Sequence, residues 1–331
     1  MKLIENSSAT EQIEAGCVLT IGNFDGVHQG HQQLLAEAAS AAAERDKALV
    51  AMTFEPHPVA ILYPEKAPGV LTPLQIKAQL LSANGVDYLV VLKDSRELLD
   101  MVPGDFVDKF LMKHLKPSLV VEGDDFNFGS DRAGSIETLR ELGQQRGFDV
   151  EIIKQKSIQL STGQRVRISS TIIRYMLESG HVADAATLLG RPYRLLERVV
   201  SGRGKGREIG FPTLNLKEPE QIIPAEGVYA GWVSIDESPD KLYTGRGSRR
   251  AVFSIGQART FGDEYPLLIE AHLLGEKTDE AIGKWMAMDF AEHIRTQHKF
   301  RSEKELARQI SEDCGQAETI LKQFETNFAR K

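Results

Sequence analysis

Two histidines three residues apart, His28 and His31, enclose Gln29 and Gly30 in the stretch Val18-Leu-Thr-Ile-Gly-Asn-Phe-Asp-Gly-Val-His-Gln-Gly-His31. Two imidazoles flanking a glycine can donate to phosphate oxygens from both sides. The run Val18–Ile21 reads as a short buried strand, broken by Gly22 and Asn23. Gly26 and Gly30 let the backbone come close to something bulky. A helical pattern starts at His31, so the histidines fall at a strand-to-helix turn. Open N–H groups and the positive end of a helix dipole suit such a turn to a phosphate.

A second group of chemical residues lies far downstream. Gly202, Gly204 and Gly206 alternate with Arg203, Lys205 and Arg207 in a glycine-rich basic loop. No Lys-Ser or Lys-Thr pair follows, so this is not a Walker A loop; alone it suits a mobile turn as well as a phosphate cradle. Phe211-Pro-Thr-Leu-Asn215 comes next. In Leu268-Ile-Glu-Ala-His-Leu-Leu274, strand alternation puts Glu270 and His272 on one face and Ile269 and Leu273 on the other.

Three further motifs sit just past apparent strands, where open α/β sheets place ligands. Glu55-Pro-His-Pro58 follows a strand at 48–54, and Glu122-Gly-Asp-Asp-Phe-Asn-Phe-Gly129 follows one at 118–121. Asp124 and Asp125 point opposite ways on extended chain, so they predict no metal. Phe126 and Phe128 alternate, one suited to the core and the other to a ligand. Arg167-Ile-Ser-Ser-Thr-Ile-Ile-Arg174 precedes a helical pattern that Ser169 or Ser170 would cap, with Arg174 near its start.

The elements that hold these residues alternate through the first half. Helices are expected at 31–45, 103–115 and 134–146, and one opened by Thr72-Pro73 and ended by Gly85. Strands at 88–92 and 148–153 complete a parallel α/β pattern. A short helix at 181–189 closes at Gly190. Strands at 193–200, 227–235, 250–255 and 267–274 follow without helices between them, which suggests a small barrel, and a helix at 302–328 ends the chain. The domains expected are residues 1–186 and 187–331. At 331 residues the chain can hold two ordinary cores.

Composition is that of a soluble globular protein, 41% hydrophobic and 26% charged, and the net charge of −7 argues against a nucleic-acid partner. Cys17 and Cys314 lack metal-ligand spacing, which suits a reducing cytoplasm. The N-terminus lacks a signal-peptide layout, and no apolar run approaches the ~20 residues of a membrane span. The expectation is a cytoplasmic protein, a monomer or weak homo-oligomer, with no membrane partner.

His28-Gln-Gly-His31 resembles the HxGH signature of the nucleotidylyltransferases. The longer string from Gly22 is similar to the FMN adenylyltransferase half of the bacterial bifunctional riboflavin kinase/FAD synthetases. The resemblance implies a Rossmann-like α/β unit with a parallel sheet, then an antiparallel β-barrel kinase unit with a C-terminal helix. It implies that His28 and His31 hold ATP phosphates and stabilise leaving pyrophosphate, beside Gly22, Asn23, Phe24, Asp25 and Gly30. Ser169, Ser170, Thr171 and Arg174 match the second phosphate motif; Asp125, Phe126 and Phe128 match the flavin segment.

Phe211–Asn215 resembles the riboflavin kinase P-T-A-N motif, with Leu214 in the alanine place. That implies Mg²⁺ held by Thr213 and Asn215 against ATP, with Gly202, Gly204, Lys205, Gly206 and Arg207 on the phosphates. The strand with Glu270 resembles the E-x-H-L strand whose glutamate is the catalytic base, and Tyr229 fits the pattern as packing. Two stretches depart from the family: Ser254–Phe261 where N-I-G-x-x-P-T-F is usual, and Leu274–Gly283 where L-D-F…D-L-Y-G is usual. The implied activity is phosphorylation of riboflavin to FMN, then adenylylation of FMN to FAD with release of pyrophosphate. The alternatives are a synthetase with an impaired kinase half serving as a flavin-binding module, and an adenylyltransferase of another small molecule.

Overall fold

A computed structural model describes residues 1–5, 7–93, 96–244, 248–257, 267–275 and 281–328. Its contacts divide the chain into two units, Met1–Gln159 with Gly163–Ser170 and Leu160–Thr162 with Thr171–Lys331.

Short apolar runs build the sheet of the first unit: β1 (Lys2–Ile4), β2 (Val18–Ile21), β3 (Leu49–Phe54), β4 (Tyr88–Leu92), β5 (Leu119–Gly123) and β6 (Asp149–Ile153). All neighbours are parallel, in the order β1-β4-β3-β2-β5-β6. Alternate residues feed two cores, one with Leu19, Met52, Val90 and Val120 and the other with Val18, Ala51, Leu89 and Val121. Burial of both faces explains why these strands read as unbroken apolar runs. The chain moves outward from β2 to β3 and β4 and later returns to lay β5 and β6 on the other side. The order therefore reverses at β2/β5, the place where such sheets bind ligands.

Helix α1 (Gln29–Glu44) buries Leu34, Leu35, Ala38 and Ala42 and begins before the expected His31, because His28 caps it. α2 (Pro58–Leu62) follows the Glu55–Pro58 segment. α3 (Leu74–Ala83) has Pro73, not Thr72, at its N-cap; the Thr72 hydroxyl is used elsewhere. α4 (Arg96–Leu99) is a single turn. The helix expected over 103–115 is α5 (Pro103–Asp105) running into π-helical turns at Phe106–Leu115. α6 (Ile136–Arg146) is capped by Ser135. A hairpin of β7 (Ser157–Gln159) and β8 (Arg165–Arg167) had no signal in the sequence pattern.

After α7 (Ser170–Glu178) and α8 (Val182–Leu189), six antiparallel strands close a barrel: β9 (Tyr193–Val200), β10 (Leu214–Leu216), β11 (Gly227–Asp236), β12 (Arg249–Gln257), β13 (Leu267–Leu273) and β14 (Trp285–Arg295). The sequence pattern missed β10 and β14. The Met, Ala and Glu of β14 favour helix, but pairing with both β11 and β9 makes it the stave that closes the barrel. Tyr229, Phe253 and Phe290 meet inside it. Gly231 is required there, since a Cβ would lie 2.4 Å from the Phe253 ring. Residues of opposite parity, Val228, Ala230 and Val252, face Ala317 and Leu321 of α10 (Glu303–Phe328). α8 packs on β9 and β14. The division by contacts thus takes α7 beyond Ser170 and all of α8 with the barrel, whereas the pattern-based border falls at 186/187.

Candidate functional site

Between β2 and α1 the backbone adopts left-handed geometry at Phe24 (φ 46°), Gly26 (φ 84°) and Val27 (φ 39°). For Phe and Val this costs on the order of 1–3 kcal/mol each, so the surrounding structure must hold the turn. Asp25 does much of that. Its buried carboxylate accepts from Leu71 N (3.1 Å), Thr72 N (3.0 Å) and Thr72 Oγ1 (3.3 Å). Gly26 N donates to Thr72 Oγ1 at 2.9 Å, and Gln32 Nε2 to Val27 O at 2.8 Å. Phe24 is buried too, seated against Gly22 and edge-on to His31. Phe24 and Asp25, expected at the ATP, therefore act on the turn from the protein side.

The His28 and His31 rings stack 3.6 Å apart at 11°. A Cβ on Gly30 would come within 3.3 Å of the His28 ring, so glycine seats it. His28 Nδ1 accepts from His31 N at 3.2 Å, which leaves Nε2 of the neutral ring as its donor. His31 Nδ1 is buried without a hydrogen-bond partner. Burial pushes the His31 imidazole well below its usual pKa, and His28 and Lys77 push it further. Lys77 is itself buried and ion-paired to Glu55 at 3.4 Å. The Asn23 amide meets His57 Nε2 at 2.9 Å, while His57 Nδ1 accepts from Val59 N.

Ser170 Oγ donates to Asp25 O at 2.8 Å, so this hydroxyl braces the turn instead of capping α7. Ser169 precedes α7, while Thr171 and the half-buried Arg174 stand on it within the second unit. Phe128 is 6% exposed and belongs to the core, leaving half-buried Phe126 as the aromatic with surface to offer. Asp125 is held by Gln155 and faces Arg167, which also bonds Asp124.

In the barrel, Asn215 of β10 lies in register with Glu270 of β13. Thr213 Oγ1 donates to Glu270 Oε1 at 3.2 Å. Burial pushes the Glu270 carboxyl up, partly offset by the Thr213 hydroxyl and Arg203. His272, on the same face, donates from Nδ1 to Pro212 O at 2.8 Å. The glycine loop folds over this group: a Cβ on Gly202 would lie 2.1 Å from Asn215 Nδ2, and one on Gly206 2.3 Å from Phe211 O. A pocket of about 210 Å³ is lined by Gly202, Gly204, Arg207, Thr213, Asn215 and Ile282, among others. Lys205 stands exposed on the short helix α9 (Lys205–Glu208). Tyr229 is packing, fully buried. Of the two departing stretches, 258–261 and 276–280 lie outside the described residues.

Thr72, Gln32 and Glu122 escaped sequence reasoning. Thr72 and Glu122 reach the turn only through tertiary approach, and no spacing announces them.

Fold and site define a nucleotide-type α/β unit with a phosphate-suited turn, joined in one chain to a small barrel with a glycine loop over hydroxyl, amide and carboxyl groups. Residues 10–172 match the FAD synthetase family and residues 189–321 the riboflavin kinase family. The chain is 37% identical to the bifunctional riboflavin kinase/FMN adenylyltransferase of Escherichia coli K12, over 95% of this chain and 96% of that one. It is 34% identical to the protein of that name in Haemophilus influenzae, over 97% and 99%. A solved structure described as a macrolide-efflux protein from Streptococcus pneumoniae matches with TM-score 0.81 and 29% identity, covering 95% of this chain and 97% of that one. Among the described residues no helix is long and apolar enough to cross a membrane. The chain belongs to the bifunctional riboflavin kinase/FMN adenylyltransferase family.

Proposed function

We propose that the chain makes FAD from riboflavin in two ATP-consuming steps, the first in a kinase domain at 187–331 and the second in an adenylyltransferase domain at 1–186. In the kinase step the ribityl 5′-hydroxyl attacks the γ-phosphorus of ATP, the bond from that phosphorus to the β,γ-bridging oxygen breaks and ADP leaves, and the hydroxyl proton passes to Glu270. The observation that carries this is the Glu270–Thr213–Asn215 group under the glycine loop. A carboxyl raised toward neutrality by burial is a better-matched base than an exposed one. Mg²⁺ fits the donor set here, a hydroxyl and an amide oxygen beside the Glu270 carboxyl. An ion that draws most of its ligands from phosphates and water needs only hard oxygens such as the Thr213 hydroxyl and Asn215 amide. When bound it supplies charge neutralisation to the triphosphate, beside Arg207, Lys205 and the backbone at Gly202, Gly204 and Gly206.

In the second step the FMN phosphate attacks the α-phosphorus of another ATP, and pyrophosphate leaves. A phosphate monoester is already an anion near pH 7, so no general base is required. Positioning and charge stabilisation carry the rate, which suits His28, His31, Gly30 and the Asn23 amide. Ser169, Thr171 and Arg174 belong to the same proposal, as do Asp125 and Phe126 on the flavin. Intact Thr213, Asn215 and Glu270 speak against a kinase half reduced to a binding module. The chain acts in the cytoplasm on small molecules, as a monomer or weak homo-oligomer, without a nucleic-acid or membrane partner.

A chromatographic time course with riboflavin, excess ATP and Mg²⁺ tests both steps. Wild type is expected to give FMN and then FAD. Glu270→Gln is expected to slow the first step by about 10²–10⁴-fold, and His28→Ala to let FMN accumulate by slowing the second about 10²–10³-fold. A wild type that adenylylates supplied FMN but never phosphorylates riboflavin would restore the impaired-kinase alternative.

A further inference from the structure

The sheet of the first unit is unzipped at one place. β2 pairs with β3 along its whole length, from Val18↔Leu49 to Ile21↔Met52. Against β5 it pairs only at Val18↔Leu119 and Leu19↔Val120, although β5 itself runs on to Gly123 and stays paired to β6 up to Gly123↔Ile153. The two central strands thus part at their carboxyl ends, where the strand order reverses.

Opening that gap strands a donor. Gly22 N bonds Met52 O on the β3 side, so by the alternation of a parallel ladder Ile21 N faces β5. No β5 carbonyl meets it. Instead Ile21 N donates to Glu122 Oε1 at 2.6 Å. Glu122 is 2% exposed. A carboxyl group therefore stands where the next ladder bond would be, one residue before the Gly22–Asp25 turn that leads to His28 and His31.

We propose that Glu122 is a positioning residue of the adenylylation site, a wedge that replaces the missing β2–β5 ladder bond at Ile21 and so fixes where β2 ends and its turn begins. This rests on the assignment of adenylylation to the first unit. Without the wedge, Ile21 N is left buried and unpaired, and the turn that carries the histidines loses its fixed start. Burial, reinforced by the charge of Asp125, pushes the Glu122 carboxyl well above the usual range. A side-chain amide keeps an acceptor oxygen at the same reach from Ile21 N, so glutamine is its nearest mimic.

The test uses full-length Glu122→Gln and Glu122→Val, with adenylylation of supplied FMN, phosphorylation of riboflavin and amide exchange at Ile21 measured on each. Glu122→Gln is expected to keep adenylylation within about threefold. Glu122→Val is expected to lose about 10²-fold in kcat, the scale for a displacement of roughly 1 Å, with KM for FMN and ATP changed less than about threefold. Its Ile21 amide is expected to exchange at least about tenfold faster than in wild type, the equivalent of one hydrogen bond lost, and its kinase rate to stay unchanged. Wild-type adenylylation in Glu122→Val, equal loss in Glu122→Gln, unchanged Ile21 exchange, or a parallel fall of the kinase rate would each overturn the inference. A wild type unable to adenylylate FMN would instead overturn the assignment of the step, while Ile21 exchange still decides whether Glu122 holds that amide.

Discussion

His28 and His31 share one turn but use their ring nitrogens differently. His28 spends Nδ1 on the backbone and keeps Nε2 as a donor; His31 is held neutral by burial and by its stacked neighbour. The unfolded chain takes up a proton at this position near pH 6.5, where folded His31 does not. Below about pH 6.5 the unfolded state therefore binds more protons, so the His31 contribution to stability is complete above that pH and falls away beneath it. Urea midpoints between roughly pH 7 and pH 5 are expected to fall more steeply in wild type than in His31→Gln. Glu270 gives the opposite kind of shift, a carboxyl raised by burial. A base must be ionised to act, so the acid limb of riboflavin phosphorylation is expected above the ordinary glutamate range of about 4.3. A pH–rate profile of kcat/KM in wild type checks this, and Glu270→Gln is expected to lose that limb with the activity.

At the level of elements, each site is a tight turn held by residues from elsewhere in its unit. The β2–α1 turn keeps two bulky left-handed residues in place because Asp25 and Thr72 tie it to the 71–72 segment. The glycine loop over β10 is set by contact. Gly202→Ala would push a methyl group into Asn215, so this variant is expected to lose about 10²-fold in riboflavin phosphorylation by displacing the Asn215 amide. Adenylylation of supplied FMN is expected to be unchanged. Equal loss of both activities would show that the substitution unfolds the protein instead.

For the whole molecule, the two proposed steps use separate sets of residues. FMN is the product of one and the substrate of the other. A mixture of Glu270→Gln and His28→Ala proteins holds one intact site of each kind and is expected to form FAD from riboflavin, although neither variant does so at an appreciable rate. FMN released by His28→Ala is then taken up by Glu270→Gln. FAD formation that remains at the level of the single variants would mean that FMN does not pass through solution.

The two-unit α/β-then-barrel order was legible in the sequence because strand alternation, apolar runs and glycine punctuation are local. His28, His31, Thr213, Asn215 and Glu270 stood out as candidates for the same reason, since their types and spacings sit in short contiguous motifs. Local pattern failed at β14, whose helix-favouring residues become strand only through two long-range neighbours. Nor could local pattern tell that Phe24, Asp25 and Phe128 are buried, although they share motifs with exposed and half-buried residues. Asp25 meets residues 71 and 72, Ser170 meets Asp25, and Glu122 meets Ile21, all at long separation along the chain. Spacing names the residues that can do chemistry. Which side chains face the ligand and which brace the turn depends on groups that only folding brings within hydrogen-bonding distance.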